Sequence, residues 1–157
     1  MDRTNKDNWK EFIAGRENVL IEGLDVFNDF LVISERENGL TNLNVMNLKN
    51  NSHHYIPFSE PAYVVGTSTN LTMDSNVLRF AYNSMVNPGT LYEYNMANKE
   101  NIILKEKEIV GGYNQNEFIC ERIWATGRDG TKIPMSMVYK KGMKKDGNNP
   151  TLLYAYG

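Results

Sequence analysis

The apolar residues of this chain recur on alternate positions or in runs of a few residues, and hardly anywhere at the three-to-four spacing of a helix. Period two puts every second side chain on the same face of an extended backbone, so the pattern constrains the chain to strands that bury one face. Strands are predicted over 19–22, 30–35, 43–48, 55–58, 63–67, 77–82, 91–96 and 102–104. Between them stand Asn38-Gly39, Asn50-Asn51-Ser52 and Asn87-Pro88-Gly89, residues that tolerate positive φ or preset a turn. Only the start, with Trp9, Phe12 and Ile13 on one face, predicts a helical turn and a half.

A shift of the sequence on itself by 48 positions keeps apolar, turn and strand positions in step: Phe30 meets Leu78, Val32 meets Phe80, Leu43 meets Leu91, Asn47 meets Asn95, Leu48 meets Met96 and Ile56 meets Leu104. A repeat of about 40 to 50 residues holding four short strands is the signature of a β-propeller blade. Self-similarity at hairpin spacing in any β-rich protein is the competing explanation. Two blades do not close a ring.

Composition shifts at Gly111-Gly112-Tyr113-Asn114-Gln115-Asn116, a polar segment that reads as a linker. A hairpin is predicted beyond it, with strands over 118–126 and 131–139 around the turn Gly127-Arg128-Asp129-Gly130. Ile133, Met135, Met137 and Tyr139 share one face of its second strand. Pro134 has no N–H to give, which places that strand at an edge or a bulge. Residues 140–146 read as a charged, solvent-facing loop, and "PTLLYAYG", 150–157, as one more strand.

The formal net charge of −2 and the charged share of 23% lack the basic footprint of a nucleic-acid binder. No apolar run approaches the roughly 20 residues that span a bilayer, and the start M-D-R-T-N-K-D-N-W-K is too polar for a secretory signal. A single cysteine, Cys120, cannot form an internal disulfide and reads as a small buried apolar residue. The expectations are no nucleic acid, no membrane and a cytoplasmic location. Asn50 and Asn70 begin Asn-x-Ser/Thr triplets that read as chance matches.

Catalytic chemistry is sparse. The two histidines, His53 and His54, are adjacent in a predicted strand, so they point to opposite faces and cannot line one site. No G-x-S-x-G elbow is present; Gly66-Thr67-Ser68-Thr69-Asn70 lacks the closing glycine. No cluster has metal-ligand spacing and no glycine-rich loop cradles a nucleotide, so no metal and no cofactor are expected. Glu35-Arg36-Glu37 reads as a solvated strand end. Tyr92 and Tyr94 suit either an exposed aromatic platform or a packed strand face.

The motifs Glu121-Arg122-Ile123-Trp124-Ala125-Thr126, Asp129-Gly130-Thr131-Lys132-Ile133-Pro134 and Leu153-Tyr154-Ala155-Tyr156-Gly157 together resemble the junction at which the β-propeller of the prolyl oligopeptidase family meets its α/β-hydrolase domain. "NVLIEGLDVFNDFLVISERENGLTNL" and "HHYIPFSEPAYVV" resemble the last propeller blades of its oligopeptidase B branch. The resemblance implies a mainly β chain: about two blades over 1–110, a linker over 111–117, and over 118–157 the first strands of an incomplete α/β-hydrolase domain. It implies a serine peptidase acting on short peptides after Lys or Arg. A periplasmic parent is the alternative location, since an internal start would hide a signal peptide. Its Ser-Asp-His triad would lie beyond Gly157, leaving this chain alone inactive. In the family pattern Y-G-Y-G the second tyrosine is an oxyanion-hole donor, and the matching residue is Tyr156; Ala155 stands where many relatives have glycine. A fragment of that kind is expected to self-associate through exposed strand edges. The alternative is a free-standing β-rich binding module without catalysis.

Overall fold

The computed structural model describes residues 4–155. Strands β1 (Val19–Val26), β2 (Phe30–Glu37), β3 (Leu40–Asn47) and β4 (His53–Tyr55) form one four-stranded sheet in sequence order. Strands β5 (Tyr63–Thr67), β6 (Val77–Ser84), β7 (Thr90–Asn95) and β8 (Glu100–Glu106) form a second one of the same order, and all pairs are antiparallel. Two successive four-stranded meanders are the architecture of propeller blades. Among the described residues, strands β9 (Phe118–Thr126) and β10 (Lys132–Lys140) pair only with each other. Pro134 therefore sits in an edge strand, opposite Trp124, where its missing donor breaks no second ladder.

Local chemistry explains the turns. Asn38 at φ 52° and Gly39 at φ 76° make the two-residue connection that sets Glu37 opposite Leu40, and positive φ at both positions matches the twist of the flanking strands. Asn47 and Asn95, equivalent under the 48-residue shift, both turn their Oδ1 back to backbone amides two residues on, at 2.9 Å from Lys49 N and 3.0 Å from Ala97 N. The repeat is thus carried by turn chemistry as well as by apolar positions. It slips at β7, where Leu43 lies in the core while Leu91 pairs with exposed Ala81 on the opposite face to Tyr94. The connection 85–89 is longer than Asn38-Gly39, and a one-residue change of register turns every side chain to the other face.

The core lies between the blades. Phe30, Val32, Leu43 and Val45 from the first meet Leu78, Phe80, Tyr82 and Tyr94 from the second. Phe58 links them, stacked on Tyr82 at 5.3 Å and edge-on to Phe80 at 5.9 Å between ring centroids. Each such side chain contributes about 1.5–3 kcal/mol of apolar transfer.

The strand expected over 55–58 is displaced to β4 and shares only Tyr55 with it, and two expected elements do not form. The start makes only a 3-10 turn at Lys6–Asn8, capped by Asn5, and Trp9 and Phe12 stay 68% and 63% exposed. A short helix is not stable without an apolar surface to pack on, because its nucleation is costly. Residues 151–155 form no strand, and Leu152, Leu153 and Tyr154 are exposed. Extended backbone becomes a strand only when a neighbour takes its N–H and C=O groups, and none among the described residues does so.

Candidate functional site

Three loops, Asn38-Gly39, 59–62 and 85–89, carry the contacts that dock the β9–β10 hairpin and the segment before it. The pairing of Arg122 with Ser136 and of Trp124 with Pro134 sets these four side chains on one face. From that face Arg122 Nη2 donates to the carbonyl of Asn38, and the guanidinium carbon stands 5.4 Å from the centre of the Trp124 ring. Cys120 Sγ donates to Ala62 O at 3.7 Å, and Tyr113 Oη donates to Val86 O at 2.9 Å. Backbone carbonyls are the acceptors in all three contacts. The docking therefore depends on the path of the loops more than on their side chains.

The other face of the hairpin carries Glu121, which accepts from Tyr139 Oη at 2.5 Å and Lys145 Nζ at 2.7 Å. Lys145 and then Tyr139 hold the Glu121 carboxyl below its ordinary range. The basic loop is accordingly not wholly free in solvent: Lys145 is tied to Glu121 and lies 4.4 Å from the centre of the Tyr139 ring.

The strand end Glu35-Arg36-Glu37, read as solvated, contains a buried carboxylate. Glu35 is 2% exposed and accepts from Asn44 Nδ2 at 3.1 Å and Tyr55 Oη at 2.8 Å, while Arg16 Nη2 lies 2.5 Å from it. Burial raises the Glu35 pKa, but the bonds from Tyr55, Asn44 and Arg16 together outweigh it and leave the group below its usual value. The partners come from the N-terminal segment, β3 and β4, so no local motif announces them. Arg36, the next residue, pairs with Glu22 at 2.7 Å at the surface.

His53 is exposed and His54 half-buried, as their adjacency in β4 requires. His54 Nε2 is 2.7 Å from Tyr94 Oη, a bond that joins the two blades. Burial, then the charges of Lys99 and His53, lower the His54 pKa. Tyr94 is 1% exposed and Tyr92 stacks on Phe80 at 5.1 Å, so these tyrosines form a packed face and no exposed platform. Burial, and next the Glu60 carboxylate that it bonds, raise the Tyr82 phenol. Burial and Glu60 also raise the Cys120 thiol, which keeps it protonated and a poor nucleophile. Tyr156 lies outside the described residues. Among the described residues no nucleophile is paired with a base.

Residues 1–107 match the family model described as the prolyl oligopeptidase N-terminal beta-propeller domain. The dipeptidyl aminopeptidase BI of Pseudoxanthomonas mexicana is 41% identical over 157 residues, covering 99% of this chain and 21% of that protein. Protease 2 of Moraxella lacunata is 33% identical over 156 residues, 99% of this chain and 22% of its own length. Among solved structures, oligopeptidase B from Trypanosoma brucei with covalently bound antipain, in its closed form, superposes with a TM-score of 0.81 at 33% identity, over 92% of this chain and 22% of that one. The chain thus spans about a fifth of the length of the curated relatives that it matches. With blade sheets, turn chemistry and relatives in agreement, the chain belongs to the prolyl oligopeptidase family, in its oligopeptidase B branch.

Proposed function

We propose that this chain is part of a serine-type oligopeptidase that cuts short peptides after Lys or Arg, and that it supplies the last propeller blades (1–110), the linker (111–117) and the first hydrolase strands (118–157). One observation carries the reading: 99% of this chain aligns with peptidases of which it covers only 21% and 22%. The triad is then contributed by residues outside the chain. Tyr156 is assigned as an oxyanion-hole donor, a role worth about 2.7–4 kcal/mol of transition-state stabilisation once a nucleophile is present and nothing without one. A fluorogenic peptide with Arg at the cleavage position tests the proposal. The intact enzyme is expected to turn it over and to be silenced by a serine-directed inhibitor, whereas the 157-residue chain gives no turnover above blank. Inhibitor-sensitive hydrolysis by this chain alone would overturn the assignment of the triad.

The same reading implies self-association. Leu20, Leu24 and Val26 on edge strand β1 and Ile102, Ile103 and Leu104 on edge strand β8 are all exposed, and open apolar edges template pairing with another chain. Sedimentation at rising concentration is expected to show a growing average mass. A monomer of constant mass across the range would sink this part.

A further inference from the structure

We propose that the cleft between the β9–β10 hairpin and the second blade binds the free carboxylate of a short peptide on Arg122. The cleft is an open groove of about 410 Å³, and Arg122 is the single charged group on its wall. That volume falls within the few hundred Å³ typical of small-ligand pockets. A guanidinium has five N–H donors. Here Nη2 is bonded to the Asn38 carbonyl, and the Trp124 ring supports the group from one side. Among the described residues no carboxylate comes within ion-pair distance of it, since the ion pairs engage Arg16, Arg36, Lys49, Arg79, Lys140 and Lys145. A half-buried, oriented guanidinium without a counter-ion favours an anion, and two parallel N–H···O bonds suit a carboxylate.

The rest of the wall selects among anions. Val64 and Met85, 65% and 45% exposed, offer apolar surface beside Arg122, and Asn83, Ser84 and Ser136 offer neutral polar groups. No second cation lines the cleft. A phosphate dianion calls for more positive charge than one arginine supplies, whereas a monovalent carboxylate with an apolar side chain beside it matches one cation and an apolar wall. A peptide C-terminus carries both groups on a single Cα. The choice of a peptide rests on the oligopeptidase reading; the preference for a carboxylate rests on the cleft itself.

The test is binding, which does not depend on hydrolysis. An N-acetylated tripeptide with apolar side chains is titrated, as the free acid and as the C-terminal amide, into the chain carrying Trp9→Phe, so that Trp124 beneath Arg122 reports alone. The acid is expected to bind about tenfold or more tightly than the amide. Arg122→Gln brings the acid down to the level of the amide, and Arg122→Lys keeps part of the difference. Acetate at the same concentration gives no comparable response. Equal affinity of acid and amide, or no binding up to about 10 mM, overturns the proposal. An equal response to acetate overturns the peptide assignment. The acid–amide comparison uses the unaltered arginine, so it holds even where an Arg122 variant loosens the hairpin. If the cleft fails while the intact enzyme still cleaves peptides, the peptidase reading stands.

Discussion

Phe80→Ala is expected to lower the stability of the chain by about 3–5 kcal/mol, read as a lower urea midpoint at unchanged slope. The ring is 1% exposed, stacks on Tyr92 at 5.1 Å and meets Phe58 edge-on at 5.9 Å. Alanine removes its transfer energy and leaves a cavity that the flanking strands, fixed by their ladders, cannot close. With domain stabilities of about 5–15 kcal/mol, that is a large share of the whole. Ala81→Ser, on the exposed face of the same strand, is expected to stay within about 0.5 kcal/mol. A Phe80→Ala midpoint equal to that of Ala81→Ser would mean that the blades do not share one core.

The second large effect concerns Glu35. Removing one member of a buried ion pair costs about 3–5 kcal/mol; Arg16 is 41% exposed, so water screens the pair and a loss of about 2 kcal/mol is expected for Arg16→Ala at neutral pH. The loss depends on pH. The folded pKa of Glu35 lies below its ordinary 4.5, so the carboxylate contributes stability that is complete above the unfolded pKa and is lost as pH falls through the folded one. The deficit of Arg16→Ala relative to the unaltered chain is therefore full at neutral pH and shrinks as the pH falls below about 4.5. Arg36→Ala, which breaks the exposed pair with Glu22, serves as the control and should cost about 0–1 kcal/mol. Urea melts at several pH values decide it: a deficit for Arg16→Ala that does not change with pH would mean that the arginine acts through packing alone.

Much of the strand plan was legible because it is local. The ranges 63–67 and 118–126 coincide with β5 and β9, since β-branched and aromatic residues are dense in both stretches. Positive φ at Asn38, Gly39 and Gly130 follows from residue type in the same way. Illegible were the features that depend on residues distant in the chain. Glu35 looked like a surface charge because its partners Arg16, Asn44 and Tyr55 lie 9 to 20 residues away. Its neighbours Leu31 and Ile33 are also buried. Strand β2 is thus covered on both faces, and period two no longer tells inside from outside there.

The docking cleft belongs to the same class. Glu121-Arg122-Ile123-Trp124 gave a strand and a family resemblance, while the proximity of Arg122 to the Asn38 carbonyl, 84 residues earlier, appears only once both blades and the hairpin are in place. The final segment shows the reverse limit. Leu152, Leu153 and Tyr154 have the composition of a buried strand and are exposed, because composition sets what a backbone can do and a pairing neighbour sets whether it does. Strands such as β5 and β9, the turns and the family resemblance were legible in the chain order, because they rest on interactions within a few residues or on the order of motifs. Which charges are buried, which tyrosines pack and which cation has no counter-ion among the described residues follow from the fold, because burial and Coulomb energies depend on distances that the chain order does not encode.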